Sequence, residues 1–129
     1  MGEKDLNVVS TLNLLGSICA KQKTHYHNKI GIDFFGEARQ VRIQVLGKDH
    51  VLVGKTLSDM AGIYFQQNNF NMADSLYKNA LKTFKQASLP KNHKYMFETN
   101  KRIRRLNRAK SRTKVMHPLQ NLVGWLLWK

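Results

Sequence analysis

Histidine and cysteine side chains are the groups of this chain that could bind a metal or attack a substrate. His25 and His27 are separated by one residue, but no cysteine or carboxylate cluster lies near them at the spacing of a metal site. Cys19 is the single cysteine and lies among apolar residues, which indicates a small core residue rather than a reactive thiol and excludes a disulfide framework. The sequence therefore predicts no metal site and no cofactor.

Acid–base catalysis has few groups to use in this sequence. The chain contains eight Asp and Glu residues among 129, and they are spread along polar helix faces. A general acid and a general base must lie together to act on one bond, so scattered carboxylates do not favour this chemistry. The motifs of serine hydrolases, phosphate-binding loops and zinc proteases are missing from the sequence. We expect no enzyme activity and no small-molecule substrate.

Charge says more about partners than any catalytic motif does. The chain has 22 Lys and Arg residues and a formal net charge of +14, which attracts acidic proteins, nucleic acid or an anionic membrane. A run without acidic residues begins at Lys101 and Arg102, and its further members are the anion-binding candidates Arg104, Arg105, Arg108, Lys110, Arg112 and Lys114. No aromatic residue interrupts this run and no nucleic-acid-binding signature accompanies it, so a solvated basic helix is an equally simple interpretation.

Two stretches of the chain repeat each other. The segment 11–22 aligns with 56–67 at a spacing of 45 residues, and 46–50 aligns with 89–93 at a spacing of 43. Self-similarity with a period in this range is typical of a solenoid, in which each unit packs only on its neighbours. Such architectures present extended binding surfaces, so the repetition favours binding over catalysis.

Helical periodicity predicts the elements that build each repeat. Apolar residues recur at steps of three and four after Leu6, which indicates an amphipathic helix whose core-facing stripe contains Val8, Val9, Leu12, Leu15, Ile18 and Cys19. A second helix is expected to end at Gly47, Asp49 is expected to cap the third, and the fourth ends before Pro90. The polar segments 21–28 and 66–69 are the predicted turns. Because the first helices of the two repeats are offset by 45 residues and the second helices by 42, the first turn is expected to hold about three extra residues.

Short side chains recur at matching positions of the two repeats. Gly31 and Ala38 align with Ala73 and Ala80, and the aromatic residues Phe35 and Tyr77 align between them. Antiparallel helices approach closely only where side chains are short, so these positions are expected to form the contact within each hairpin. A third pattern of the same kind contains Met96, Thr99, Ile103 and Leu106.

The pattern resembles the tetratricopeptide repeat, in the longer variety found in kinesin light chains. The residues that carry the resemblance are Thr56-Leu57 with Ala61 and Tyr64, Gln67 with Phe70 and Ala73, the segment 76–81, and Leu46-Gly47-Lys48-Asp49-His50. The resemblance implies an all-α, antiparallel helix-hairpin solenoid over residues 6–106. Its expected units are repeat 1 at about 6–47, repeat 2 at about 50–89 and a partial third repeat at about 93–110.

The resemblance also implies where a partner would bind. In such superhelices the first helix of each repeat lines a concave groove, which would accept a protein or peptide segment as a scaffold or adaptor does. The groove-facing residues are then Asn13 and Ser17 in repeat 1, Ser58 and Asp59 in repeat 2, and Lys101 and Arg102 in the third helix. His50 and His93 occupy equivalent positions, which predicts a structural role at the start of a helix.

The last segment, 111–129, differs in character from the repeats and contains both tryptophans. Three interpretations stay open: sequence foreign to the repeat array at an alternative terminus, a segment folded back over the solenoid end, or a membrane-interface segment beside the basic run. The alternative function is accordingly a nucleic-acid-associated or membrane-surface protein acting through 101–129. The chain lacks a signal peptide and an apolar stretch long enough to span a bilayer, so we expect a cytoplasmic location, with the nucleus as the alternative.

Overall fold

The computed structural model describes the backbone of residues 3–127 and the side chains of residues 5–113. Five helices form in this part of the chain: α1 Glu3–Gln22, α2 His25–Leu46, α3 Val51–Gln66, α4 Phe70–Gln86 and α5 Lys94–Leu127. No strand occurs between residues 3 and 127. The predicted all-α class is confirmed.

The helices form two antiparallel hairpins followed by a fifth helix. Helix α1 packs on α2 and α3 packs on α4, while α2 against α3 and α4 against α5 join successive units. The first helices of the units, α1, α3 and α5, also contact one another in that order. The chain is therefore a helix-hairpin solenoid, as the repeat pattern predicts.

Side-chain caps define where the helices begin. Thr24 Oγ1 accepts a hydrogen bond from the His27 amide at 3.1 Å. His50 Nδ1 accepts from the Leu52 amide at 3.1 Å, and His93 Nδ1 accepts from the Tyr95 amide at the same distance. The expected structural role of the two histidines is confirmed.

The expected cap at Asp49 is wrong. Asp49 lies in the turn after α2, and the residue that precedes the first turn of α3 with an extended backbone is His50. A ring nitrogen two bonds beyond Cβ reaches the second amide of the helix much as a short carboxylate would. The imidazole of His50 thus supplies the acceptor that was assigned to Asp49.

The turn within the first hairpin is shorter than predicted. Helix α1 ends at Gln22 and α2 begins at His25, so the extra residues of the first repeat extend α2 by nearly one helical turn and do not lengthen the loop. The two hairpin turns are nevertheless equivalent. Lys23 and Asn68 are 45 residues apart, and both have left-handed backbones, with φ of 55° and 60°.

Short side chains form the contact within each hairpin, as predicted. A Cβ on Gly16 would lie 2.9 Å from the Phe35 ring, so α1 and α2 approach closely there. In the second hairpin Ala61, Ala73 and Tyr77 form one buried cluster at the matching positions. Ala38 and Ala80 are fully buried. The two hairpins therefore share one packing template.

The outer face of α1 departs from the expected core stripe. Val9 is 1% exposed, but Val8, Leu15 and Ile18 are 52%, 37% and 47% exposed. Ile63, the counterpart of Ile18 in α3, is buried because it packs on Gly31 of the preceding hairpin. No helix of the described chain precedes α1, so the same face stays uncovered there.

Arg42 joins the two hairpins. Its Nη1 donates hydrogen bonds to the Leu52 carbonyl at 3.1 Å and to Thr56 Oγ1, so α2 is fastened to the first turns of α3. Burial lowers the pKa of Arg42, although the negative charge of Asp59 opposes the shift. Arg42 occupies the position in α2 that Phe84 holds in α4, 42 residues later. Hydrogen bonds from a guanidinium therefore take the place of the apolar packing that Phe84 provides.

Helix α5 opens with the third predicted pattern. Thr99 and Leu106 are buried, and Met96 and Ile103 pack at the edges of the two core clusters. The C-terminal segment 111–129 overlaps the last part of α5, but Lys114 and both tryptophans have side chains outside the described residues. Within the described residues, none of the helices combines the length and apolarity needed to cross a bilayer.

Candidate functional site

A groove runs across the helices that begin each repeat unit. Its volume is about 620 Å³, and it is lined from α1, α3 and α5, with Phe35 of α2 and Tyr77 of α4 also contributing. Three of the predicted groove residues, Ser17, Asp59 and Arg102, line it together. The solenoid arrangement brings them close although they are distant in sequence.

Asp59 is the centre of a polar cluster at this groove. Lys55 Nζ lies 2.8 Å from Asp59 Oδ2, and Arg102 Nη1 lies 3.1 Å from Asp59 Oδ1. The Arg102 nitrogen also donates to Ser58 Oγ at 3.1 Å, and Thr99 Oγ1 donates to the same Ser58 oxygen at 3.0 Å. These bonds hold α5 against α3 and neutralise the carboxylate.

The remaining predicted groove residues occupy different places. Ser58 is 3% exposed and lies between α3 and α5, where a partner does not reach it. Asn13 and Lys101 are outside the lining of the groove. The side chains of Asn13 and Ser17 donate to carbonyls four residues earlier in α1, at 3.0 Å and 2.9 Å. Of the six residues predicted for a partner-binding groove, Ser17, Asp59 and Arg102 line this cavity, and partner binding by any of them stays a prediction.

Two lysines at the groove, Lys21 and Lys23, were not identified from the sequence, whereas Arg105 was predicted as an anion-binding residue but not as part of the groove. Lys21, Lys23 and Arg105 line it, and among the described side chains none of the three forms an ion pair. A signal for two of them was present in the repeat register. Lys21 and Lys23 are 45 residues before Gln66 and Asn68, which line the same groove at the end of α3.

The floor of the groove is apolar, with one phenol. Phe35 and Ile63 are buried there, and Tyr77 is 2% exposed. Burial raises the pKa of Tyr77, and the nearby charges of Arg102 and Arg105 oppose this shift without cancelling it. The groove therefore combines an apolar floor with a cationic rim, on which the one carboxylate, Asp59, is already paired.

The described side chains among the anion-binding candidates of α5 lie on two different faces of the helix. Arg104, Arg105, Arg108 and Arg112 line a second cleft of about 750 Å³, whose other lining residues include Lys101, Phe65 and Phe97. Lys110 points the other way, with its Nζ 3.6 Å from Asp74 Oδ2 of α4. The Lys114 side chain lies outside the described residues.

Asp74 is held between two lysines on the α4 side of the molecule. Its pKa is lowered, first by the hydrogen bond from Lys78 at 2.8 Å and further by the charge of Lys110. The ion pair between Asp74 and Lys110 therefore joins α4 to α5, and it directs the Lys110 side chain away from the second cleft.

The histidine pair, His25 and His27, lies in the first turn of α2, next to the capping residue Thr24. The Thr24 hydroxyl lies 2.6 Å from Nδ1 of His27, the ring whose own amide the same hydroxyl caps. Within the described residues there is no group of three or more His, Cys, Asp or Glu side chains that could hold a metal ion.

Part of the chain matches a known protein family. Residues 28–86 match the family model of the tetratricopeptide repeat, which covers most of α2 and the whole second hairpin. The match supports the predicted repeat type, whose members are generally non-catalytic modules for protein–protein interaction. No curated protein matches the sequence of this chain.

Proposed function

We propose that the chain is a non-catalytic scaffold or adaptor that holds a segment of a partner protein in the groove between α1, α3 and α5. The observation that carries the proposal is the groove itself, which has an apolar floor and a rim of cations. The tetratricopeptide match supports interaction with proteins. We expect the chain to act in the cytoplasm, with the nucleus as the alternative.

The charges of the rim indicate the chemistry of the partner segment. Asp59 is neutralised by Lys55 and Arg102, so the charge offered to a partner comes from Lys21, Lys23 and Arg105. Carboxylates pair favourably with such cations and speed association, whereas a basic segment would be repelled. We infer an acidic partner segment that also carries apolar side chains for the floor.

The repeat length favours the longer, kinesin light chain-like variety. The capping histidines His50 and His93 are 43 residues apart, and the left-handed turn residues Lys23 and Asn68 are 45 apart. Kinesin light chain repeats carry two adjacent asparagines in the first helix of the repeat. This chain matches that pair at Asn13 alone, because Leu14, Ser58 and Asp59 stand at the other places. We therefore propose a related architecture with a partner preference of its own.

A charge-matched pair of variants tests the groove. The groove variant is Lys21→Glu with Lys23→Glu, and the control is Lys85→Glu with Lys91→Glu. Lys21 and Lys85 each lie in the last turn of a helix, Lys23 and Lys91 each lie in the loop that follows, and all four are exposed. The two double variants therefore change net charge equally, and each replaces one lysine in the last turn of a helix and one in the loop that follows.

The readout is capture of proteins from cell extract, quantified by mass spectrometry for the wild type and both variants. We expect a set of acidic proteins that the wild type and the Lys85/Lys91 control retain and that the Lys21/Lys23 variant loses. Identical protein sets from all three would show that the groove does not select partners.

A further inference from the structure

One face of α5 is open where the matching face of α3 is packed against a helix. A Cβ on Gly54 of α3 would lie 2.7 Å from the Phe84 ring of α4, and Ala61 is buried in the same interface. Their counterparts in α5, 43 residues later, are Phe97 and Arg104, both exposed. No helix of the described chain covers this face.

Basic side chains replace the short and apolar ones on this face. Its members recur at steps of three and four residues, which places them on one side of the helix: Phe97, Lys101, Arg104, Arg105, Arg108 and Arg112. All of them are exposed. One carboxylate, Glu98, also lines the cleft, so the cations outnumber the acidic groups there. Among the described side chains none of the five cations forms an ion pair. The face is about 22 Å long at ~1.5 Å per residue.

Two aromatic rings lie beside the basic residues of this face in the folded chain, although no aromatic residue lies within the basic run of the sequence. Phe97 is 58% exposed at one end of the basic face. Phe65 of α3 lines the same cleft, with the guanidinium carbon of Arg105 at 5.3 Å from the centre of its ring. The run from 101 to 114 contains no aromatic residue, but in space the cations are flanked by two.

We propose that this basic face of α5 binds single-stranded nucleic acid. Proteins that bind single strands combine a cationic groove, which follows the phosphates, with aromatic side chains on which bases stack. The face has both features over a length suited to a short site. The basic face is distinct from the protein-binding groove at Phe97, Arg104, Arg108 and Arg112, which line only the second cleft. Phe65 and Arg105 line both surfaces, so the variants that test the proposal are placed at the residues that line the second cleft alone.

The structure favours this ligand over two other occupants. A helix that completed the third hairpin would need short side chains for close approach, and Arg104 stands where Ala61 permits it in the second hairpin. A membrane surface needs an apolar face to insert, and Phe97 is the one large exposed apolar side chain among the described residues of α5. A flexible polyanion needs neither short side chains for close packing nor an apolar face for insertion.

Salt dependence of binding tests the electrostatic part of the proposal. The probe is a fluorescein-labelled oligothymidine of about 15 nucleotides, followed by fluorescence anisotropy at several salt concentrations. With five phosphate contacts the slope of log K against log salt is expected to be about −3.5. Arg104→Gln with Arg108→Gln and Arg112→Gln should remove about 2 from the magnitude of that slope.

The matched control removes three exposed lysines from α2 and α4, as Lys29→Gln with Lys82→Gln and Lys85→Gln. Glutamine is a good helix former, so circular dichroism and melting should show both triple variants folded. We expect the control to keep at least about four-fifths of the wild-type slope, since sites away from the face release no counterions. An equal loss of slope in the two triple variants would overturn the proposal.

Stacking is tested separately with Phe97→Ala. We expect the affinity to fall at least about five-fold at constant salt, with the slope unchanged. Met72→Ala is the control, because Met72 is a large apolar side chain exposed on α4. Unchanged affinity in Phe97→Ala would contradict the single-strand site.

Two further probes identify a wrong occupant. Vesicles with phosphatidylserine test a membrane, and polyglutamate tests an acidic protein. Suppose that the vesicles or polyglutamate lose binding when Arg104, Arg108 and Arg112 are replaced, and that oligothymidine does not. The ligand of this face would then be the membrane or the acidic protein, and the nucleic-acid proposal would be wrong. We expect the triple arginine variant to bind oligothymidine more weakly than the wild type. We also expect the wild type to have a higher affinity for oligothymidine than for the vesicles or polyglutamate.

Discussion

Two glycines of the helices differ in the space around their missing Cβ. A Cβ on Gly54 would lie 2.7 Å from the Phe84 ring and 3.2 Å from the Ala80 carbonyl, whereas nothing lies within 4 Å of a Cβ on Gly36. Alanine is favoured over glycine in a helix by about 1 kcal/mol, and overpacking costs about 1–3 kcal/mol. We predict that Gly36→Ala stabilises the chain and Gly54→Ala destabilises it in urea unfolding.

The pair checks the close approach of α3 and α4 because the backbone gain is the same in both variants. A stabilising Gly54→Ala would mean that Phe84 moves away at no cost. The assigned packing between the two helices would then be wrong.

Tyr77 gives a pH dependence whose sign follows from its burial. Burial raises the pKa of the folded phenol above the unfolded value of about 10, so folding favours the neutral form. This stability is complete below pH ~10 and is lost as the pH rises through the folded pKa. Between pH 8 and 11.5 we predict a steeper fall in unfolding free energy for the wild type than for Tyr77→Phe. Parallel curves would contradict the buried phenol.

At the scale of the helix, the same position of the repeat is covered in α3 and open in α1. Ile63 is fully buried against Gly31, whereas Ile18 is 47% exposed. Truncating a buried isoleucine costs about 2–5 kcal/mol, and a half-exposed one leaves no closed cavity. We predict that Ile63→Ala loses at least about 2 kcal/mol of unfolding free energy and Ile18→Ala less than about 1 kcal/mol. Similar losses would indicate that the outer face of α1 is also covered.

Helix positions and register were predictable because they depend on local spacing. The apolar and short residues recur at helical steps, and the offset of 43 between His50 and His93 is visible in the sequence. The burial of α1 was not predictable, since the same stripe is covered only where another hairpin precedes it. Nor did local pattern separate Asp49 from His50 as the cap, because both can accept the amide bond.

The site was predictable in outline. Sequence spacing placed Asp59 and Arg102 on one surface, but their ion pair depends on how α5 crosses α3. Ser58 was misplaced for the same reason, since Thr99 and Arg102 cover it only after the third helix docks. The aromatic flank of the basic run was hidden because Phe65 belongs to a different helix.

At the scale of the whole molecule, the net charge of +14 is divided between surfaces. Lys21 and Lys23 border the groove, while Arg108 and Arg112 lie on the open face of α5. The groove has an apolar floor and the α5 face has an aromatic flank, so the two surfaces suit different polyanions. The two proposals therefore assign a protein segment to the groove and a nucleic acid strand to the α5 face, and the two surfaces meet at Phe65 and Arg105, which line both.

The most direct test of the central claim is the affinity of acidic peptides for the charge-matched double variants. Peptides selected on the wild type from a random library should carry carboxylates beside apolar residues. We predict that Lys21→Glu with Lys23→Glu weakens them at least about ten-fold, while Lys85→Glu with Lys91→Glu changes Kd less than about two-fold. Equal weakening by both variants, or selected peptides without carboxylates, would contradict binding in the groove.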